Sequence, residues 1–399
     1  MSLAIFCLCV IVILYAIDEI FGFLVYYTKY VTESMSYVLH TQVRCWRSNQ
    51  QHVQSIPDGT IFTNHTWSAI LSDYENQPHD GWIVVGYPVT LGLCNRMLDI
   101  TSTLLLAMAT NRTMWVEWEE QLGNHTDGYE EFRMSGFNTL FNSSLHDGMN
   151  KPPDNWVSGS VSLDNDGCFL HNVMNSPDLN VALDMTTKVV TRARGDWWGG
   201  LLLKNKHYKA TFPPHLTFLS GFPVLFRALF NPRTPSPPPV DCGWLIQYRV
   251  KLATSKWRIH PVDRFLECAI SNGMTRQDYN TTWVVTDDVD YMLENASPMS
   301  RLALSHMHLP TEKIGCRGPC GDHHAVETMY SLSRCKRAIL TFGSSFGSCI
   351  TSLAGMQGRH QYRVGRFGDC HRLPSDEPYD MNTLSRYGNT ATYMAQMGT

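Results

Sequence analysis

Past residue 80 the chain alternates short apolar runs with segments whose apolar residues recur at helical spacing. Trp82-Ile83-Val84-Val85 reads as a buried strand. It runs into the loop GYPVTLGLCN and a helix from about Arg96 to Thr110, with Met97, Ile100, Leu104 and Met108 on one face. Met114-Trp115-Val116-Glu117-Trp118 follows as a second strand. Strand, loop, helix and strand in that order make a βαβ unit, which implies a parallel sheet. Residues 120–180 read as loop-rich. The aromatic block WWGGLLLKNKHYK precedes a short helix predicted from Pro223 to Phe230, with proline at its first position.

The run PRTPSPPP, Pro232 to Pro239, suits neither helix nor sheet interiors and reads as a stiff connector. Beyond it the alternation resumes. Trp244 to Val250 predicts a strand, and Pro261 opens a helix with Val262, Phe265, Leu266, Ala269 and Ile270 on one face. Trp283-Val284-Val285-Thr286 is a strand that ends in Asp287-Asp288. A helix from about His323 to Arg334 leads to the strand Ala338-Ile339-Leu340-Thr341-Phe342, the turn GSSFG and the helix SCITSLAG. The pattern predicts an α/β protein with two Rossmann-like lobes on a proline hinge, a shape that binds nucleotides between domains. The expected division is an N-terminal lobe over 81–231 and a C-terminal lobe over 240–399.

The N-terminus changes the picture of where these two lobes reside. LAIFCLCVIVILYAI, residues 3–17, has no charge, and after Asp18-Glu19 the segment IFGFLVYY is again apolar. A membrane span needs about 20 residues, which is reached at Tyr27 only with two acids inside. No small-x-small cleavage site follows, so residues 1–27 are read as a retained signal-anchor and 28–80 as a polar stem. Orientation is not set by charge, because the first basic residue is Lys29. Six sequons, at Asn64, Asn111, Asn124, Asn142, Asn280 and Asn295, and ten cysteines beyond the apolar segment agree with a secretory, disulfide-forming compartment. A net charge of −4 with no basic run sets a nucleic-acid binder aside.

Three segments carry residue types suited to a nucleotide sugar. They are the turn Gly92-Leu93-Cys94-Asn95-Arg96, the strand residues Gln247-Tyr248-Arg249, and the turn Gly343-Ser344-Ser345-Phe346-Gly347. In the last, small residues let backbone N–H groups approach a diphosphate at a helix N-terminus. The bland readings are ordinary Gly-Ser turns and an Arg249 paired with a carboxylate such as Asp288.

In order and wording these segments resemble the α-1,2-fucosyltransferase superfamily, most closely the plant cell-wall, xyloglucan-type enzymes. LGLCNRMLDITSTLLLAMATNRTMWVE resembles their loop-helix-strand signature. IQYRV resembles the first donor motif, with Arg249 at its arginine; WVVTDD resembles the second, and AVETMYSLSRCKRAILTFGSSFGSCITSLAG the third. GGLLLKNKHYK and LFNPR look like landmarks between them. The resemblance spans about residues 80–356. It implies a GT-B-type fold with parallel sheets facing across a cleft, and GDP-fucose as donor. It also implies transfer to a glycan hydroxyl, α-1,2 to galactose, with inversion and without metal or cofactor. The implied donor contacts are Gly92, Asn95, Arg96, Gln247, Arg249, Thr286, Asp287, Asp288, Ser344, Ser345, Phe346 and Gly347. The implied setting is a single-pass type II protein of the Golgi membrane with a lumenal catalytic part; a homodimer is left open. Two positions depart from the pattern. Cys94 replaces the second glycine of the first turn, and is expected to narrow it or change its backbone angles. Tyr248 stands where a small or branched residue is usual.

The chemistry fits the residues. Fucosyl transfer passes through an oxocarbenium-like state while negative charge builds on the departing GDP. A guanidinium offers paired donors and holds its proton, which suits Arg249 to that charge. Glu117 is the best-placed carboxylate for a general base, with a salt bridge as its alternative. Asp288-Val289-Asp290 spells a D-x-D that binds Mn²⁺ in a different fold, and His306, His308, Cys316, Cys320, His323 and His324 cluster in sequence as zinc ligands would. The resemblance favours a metal-free reading, and an oxidising lumen favours a Cys316–Cys320 or longer disulfide. A protein O-fucosyltransferase and a GDP-binding pseudoenzyme are the alternatives.

Overall fold

The computed structural model describes residues 67–86, 92–118, 121–123, 132–134, 136–142, 152, 161–162, 169–183, 185, 189–192, 198–214, 216, 218–233, 241–250, 261–310, 319–341, 344–354, 360–365 and 368–372. The expected anchor, Asn64, Asn124 and Cys316 lie outside them. Among the described residues no helix is long and apolar enough to cross a membrane.

The N-terminal lobe starts earlier than the polar stem of the sequence reading allows. Helix α1, Trp67–Glu75, buries Ile70 and Tyr74 in the lobe core. The Tyr74 hydroxyl donates to the Arg112 carbonyl at 2.5 Å and accepts from the Met114 N–H at 2.9 Å. Burial pushes the Tyr74 hydroxyl well above the usual phenol range, so it stays neutral in this bridge. A nine-residue helix with its apolar positions in one cluster is too short to establish a period, so the sequence alone does not announce it.

Strand β1, Trp82–Gly86, leads to helix α2, Leu93–Ala109, and strand β2, Thr113–Glu117. Every residue of α2 except Asn95 is buried, so this helix is the axle of the lobe. Strands β3, Val161–Ser162, and β4, Val189–Arg192, complete a parallel sheet in the order β2-β1-β4-β3. The block GGLLLKNKHYK forms α3, Gly200–Lys204, and the turn after it. There the buried Asn205 donates to the carbonyls of Val173 and Ser176 and accepts from the His207 N–H. Asn205 is therefore scaffold, since its polar atoms are spent inside the lobe. Helix α4, Phe218–Leu229, starts five residues before its predicted beginning, and Pro223 lies past its first turn. LFNPR then returns to pair Asn231–Pro232 with Phe141–Asn142.

The C-terminal lobe comprises β5, Trp244–Tyr248; α5, Val262–Ser271; β6, Thr282–Thr286; α6, Val289–Glu294; and α7, Pro298–Leu304. It continues with α8, Pro319–Leu332; β7, Arg337–Thr341; α9, Ser345–Leu353; β8, Gln361–Val364; and β9, Cys370–Arg372. The sheet order is β6-β5-β7-β8-β9, parallel but for the last strand. Side chains alternate between its faces. Trp244, Ile246 and Tyr248 pack on α5, whereas Leu245, Val285 and Leu340 join α8, α9 and the N-terminal lobe in one continuous core. Disulfides Cys242–Cys335 and Cys268–Cys370 brace this lobe. The architecture is therefore α/β, with two parallel-sheet lobes, as the sequence predicts.

Gly199, just before α3, is where two elements approach backbone to backbone. A Cβ there would lie 2.6 Å from the Ser102 Cα of α2. Gly199→Ala is expected to lose about 1–3 kcal/mol of stability through forced separation of α2 and α3. A melting temperature equal to that of the parent would remove this contact from the account.

Candidate functional site

In a sheet ordered 2-1-3, the connections from the first strand and its later neighbour leave to opposite faces, and a crevice opens beyond their carboxyl ends. Here that place is the end of β5 and β7. The described ladder between these strands stops at Leu340 opposite Gln247. Past that point side chains replace backbone partners. The Thr341 N–H donates to Gln247 Oε1 at 3.1 Å, and the Thr341 hydroxyl donates to the Gln247 carbonyl at 2.8 Å. The same hydroxyl accepts from the Arg249 N–H at 3.0 Å. On the other flank, Asp287 Oδ1 accepts from the Val250 N–H at 2.7 Å.

Alternation puts Arg249 on the face of Leu245 and Gln247, towards α9. Its side chain is 41% exposed, and its Nε stands 3.8 Å from Asp287 Oδ2. Its carboxylate neighbour is thus Asp287, not the Asp288 of the bland reading, and Arg249 is not buried. Asp288 has another task. Its Oδ1 caps α6 by accepting from the Tyr291 N–H at 3.0 Å, so the D-x-D begins with a capping carboxylate. Among the described residues no three His, Cys, Asp or Glu side chains gather as a metal site. His308 stacks on Trp283 at 4.4 Å and bonds the Asn280 carbonyl.

The Gly-Ser turn is shorter than its sequence suggests, because Ser345, Phe346 and Gly347 already form the first turn of α9. First-turn N–H groups have no intrahelical acceptor. Ser344 precedes them, 1% exposed, and its hydroxyl has no hydrogen-bond partner among the described residues. Gly347 is fitted closely: a Cβ would lie 3.1 Å from Gln247 Oε1 and 3.0 Å from Leu340 Cδ2. From β8 the buried Arg363 donates to Ser348 Oγ at 3.1 Å, bringing a charge beneath this helix start. Sequence reasoning passed over Thr341 and Arg363. The only signal for Thr341 was a polar side chain ending an apolar strand, and the strand of Arg363, Gln-Tyr-Arg-Val, carried none.

The first motif lies across the lobe joint. Gly92 is exposed, caps α2 with φ −60°, and has open space where a Cβ would stand. Asn95 is half-buried. Arg96 is 1% exposed, stacked 4.2 Å over the Trp118 ring, with Nη2 3.6 Å from Asp322 of α8. Glu117, exposed at the end of β2 and level with Gly86, completes the N-terminal strand ends. Helices α2 and α9, each starting at the carboxyl end of its own lobe's strands, meet where Cys349 Sγ lies 4.0 Å from the Cys94 carbonyl. The two helix starts therefore meet at the lobe joint.

The expected disturbance at Cys94 does not arise. Cys94 is the second residue of α2, and Asn111 is the one non-glycine residue with positive φ among those described. Its buried thiol approaches Met329 Sδ at 3.9 Å. Tyr248 is equally harmless to the crevice, because it lies on the far face against Phe265. Of the sequons, Asn142, Asn280 and Asn295 are exposed. Asn111 sits in the left-handed turn after α2 with Nδ2 bonded to Asp80 at 2.9 Å, so a glycan there would displace that bond.

Cys94→Gly is expected to cost about 2 kcal/mol, from glycine inside a helix and loss of a buried side chain. Cys94→Ala should cost less. Equal melting temperatures for Cys94→Gly and the parent would show that the joint does not depend on this side chain.

No family model and no curated protein sequence matches the chain. Among solved structures it is similar to a mutant of Arabidopsis thaliana FUT1 in complex with GDP, at 15% identity and TM-score 0.49, over 86% of this chain and 84% of that one. It is also similar to NodZ α-1,6-fucosyltransferase soaked with GDP-fucose, at 13% identity and TM-score 0.43, over 74% and 100% of the two chains. POFUT1 in complex with GDP is a third, at 12% identity and TM-score 0.38, over 71% and 98%.

Proposed function

We propose that the chain is a fucosyltransferase that takes GDP-fucose as donor and transfers fucose to a glycan hydroxyl, α-1,2 to galactose, with inversion. The observation that carries this reading is the convergence of three separate motifs on one crevice. Arg249, the Thr286–Asp288 segment and the Ser344–Gly347 turn come from three neighbouring strand ends at the reversal of strand order. Composition cannot place them together; the fold has to.

In this reading the diphosphate lies over the first turn of α9, where free N–H groups and the helix dipole favour negative charge. The Ser344 hydroxyl gains an acceptor there. Arg249 faces the leaving group with its guanidinium available from the solvent side. The acceptor oxygen attacks the fucose anomeric carbon, the bond to the β-phosphate oxygen breaks, and GDP departs with the electron pair. The acceptor proton passes to a base, for which Glu117 across the cleft is the candidate. No metal enters the scheme, because Arg249 and the helix dipole supply the positive field. Gln247 and Arg96 act behind the donor, one holding β7 and the other the lobe joint. The apolar N-terminus, the sequons and the cysteine usage support a type II Golgi membrane setting for this activity.

The test uses the lumenal fragment, about residues 40–399, given GDP-fucose, GDP-mannose or UDP-galactose with a glycan panel and a folded-protein acceptor. EDTA-resistant release of GDP from GDP-fucose alone is expected. Arg249→Lys should retain the parent's melting temperature and lose on the order of a hundredfold in rate, since a point charge cannot replace the planar fork. Full activity in that variant would take Arg249 out of the mechanism. Transfer to the folded protein alone would favour protein O-fucosylation, and tight GDP binding without turnover a pseudoenzyme.

A further inference from the structure

The end of β5 poses a physical problem. Arg249 stands one residue beyond the strand, where β5 and β7 part, so its N–H lacks the ladder partner that a longer strand would give. The Thr341 hydroxyl fills that vacancy. It is a single oxygen with one proton and two lone pairs, and two of its described bonds run to opposite sides of Gln247-Tyr248-Arg249. It donates to the Gln247 carbonyl at 2.8 Å and accepts from the Arg249 N–H at 3.0 Å. Gln247 answers from β5 by accepting the Thr341 N–H through its side chain at 3.1 Å. Gly347 packs close to the same Gln247 oxygen, since a Cβ there would lie 3.1 Å from it, so the first turn of α9 lies against this junction.

We propose that Thr341 is a positioning residue for the donor site: its hydroxyl sets the backbone direction of Arg249 and holds it in register with the first turn of α9. This rests on the reading of Arg249 as the group that meets the leaving diphosphate. Thr341 itself touches no donor atom in that reading. It acts through the Arg249 N–H, and the buried Gln247 is the second half of the same clamp. Asp287, just past β6, accepts from the next N–H, that of Val250, so side-chain acceptors hold two successive N–H groups here.

The hydroxyl and the methyl of Thr341 separate cleanly by substitution. Thr341→Val keeps shape and β-branching but has no hydroxyl, whereas Thr341→Ser keeps the hydroxyl and loses the methyl. Hydrogen exchange at the Arg249 amide, read at residue resolution in the lumenal fragment without donor, tests the clamp directly. Protection should fall on the order of tenfold in Thr341→Val and stay within about twofold of the parent in Thr341→Ser. With GDP-fucose, Thr341→Val should lower kcat on the order of tenfold while KM for the donor stays within about twofold, and Thr341→Ser should restore kcat. Arg249 protection in Thr341→Val equal to the parent, or equal loss in both variants, overturns the proposal. If the parent binds and turns over no GDP-fucose, the donor reading falls, and the exchange result still decides whether Thr341 holds Arg249.

Discussion

Parallel strands satisfy one another's N–H and C=O groups only while they run side by side, and a binding crevice needs them to part. In the C-terminal lobe that conflict falls at the end of β5. The backbone ladder gives way to Thr341, Gln247 and Asp287, whose side chains take over its hydrogen bonds. The strand ends can then diverge with the N–H groups of Arg249, Val250 and Thr341 still paired, where an unpaired buried one would cost about 1–3 kcal/mol. Arg249 is held just where this replacement occurs, with its side chain half exposed and its backbone clamped. A rigid backbone carrying an accessible guanidinium is what a site for a charged leaving group requires.

The second constraint is the joint between lobes. One face of the C-terminal sheet packs on α8 and α9, and these pack on α2 and α4 of the other lobe in a single core. Polar contacts cross it as well. Arg96 pairs with Asp322 while stacked on Trp118, and Arg227 donates to the Leu353 carbonyl at 2.8 Å. Cys94 and Cys349 are both buried at this seam and unpaired by disulfide, unlike the four cysteines that brace the C-terminal lobe. Burial drives the Cys349 thiol well above the usual range, with a further contribution from Cys94, so this thiol stays neutral. The joint is therefore built from helices that belong to the cores of both lobes.

Much of the fold was legible because strand and helix periods are local properties. Trp82 to Val85, Trp244 to Tyr248 and Ala338 to Thr341 announced themselves as apolar runs, and Met97, Ile100, Leu104 and Met108 marked a helix by spacing. Helix boundaries were less legible. Helix α9 begins at Ser345, inside what reads as a turn, because serine and glycine at a helix start resemble any Gly-Ser loop. Helix α1 was hidden in an apparent stem, since the partner of Tyr74 is a backbone carbonyl 38 residues away.

By itself the sequence determined two α/β lobes and the three motif segments with Arg249 among them. It did so because hydrophobic period, proline and glycine act on the chain locally. Only the tertiary structure decided what each motif residue does. Asp288 became a helix cap and Asp287 the neighbour of Arg249, Arg96 went to the lobe joint, Tyr248 turned to the far face, and Thr341 became the strut at the strand divergence. Those roles follow from strand order and from which backbone groups lose their partners where strands separate, and neither is encoded at any single position.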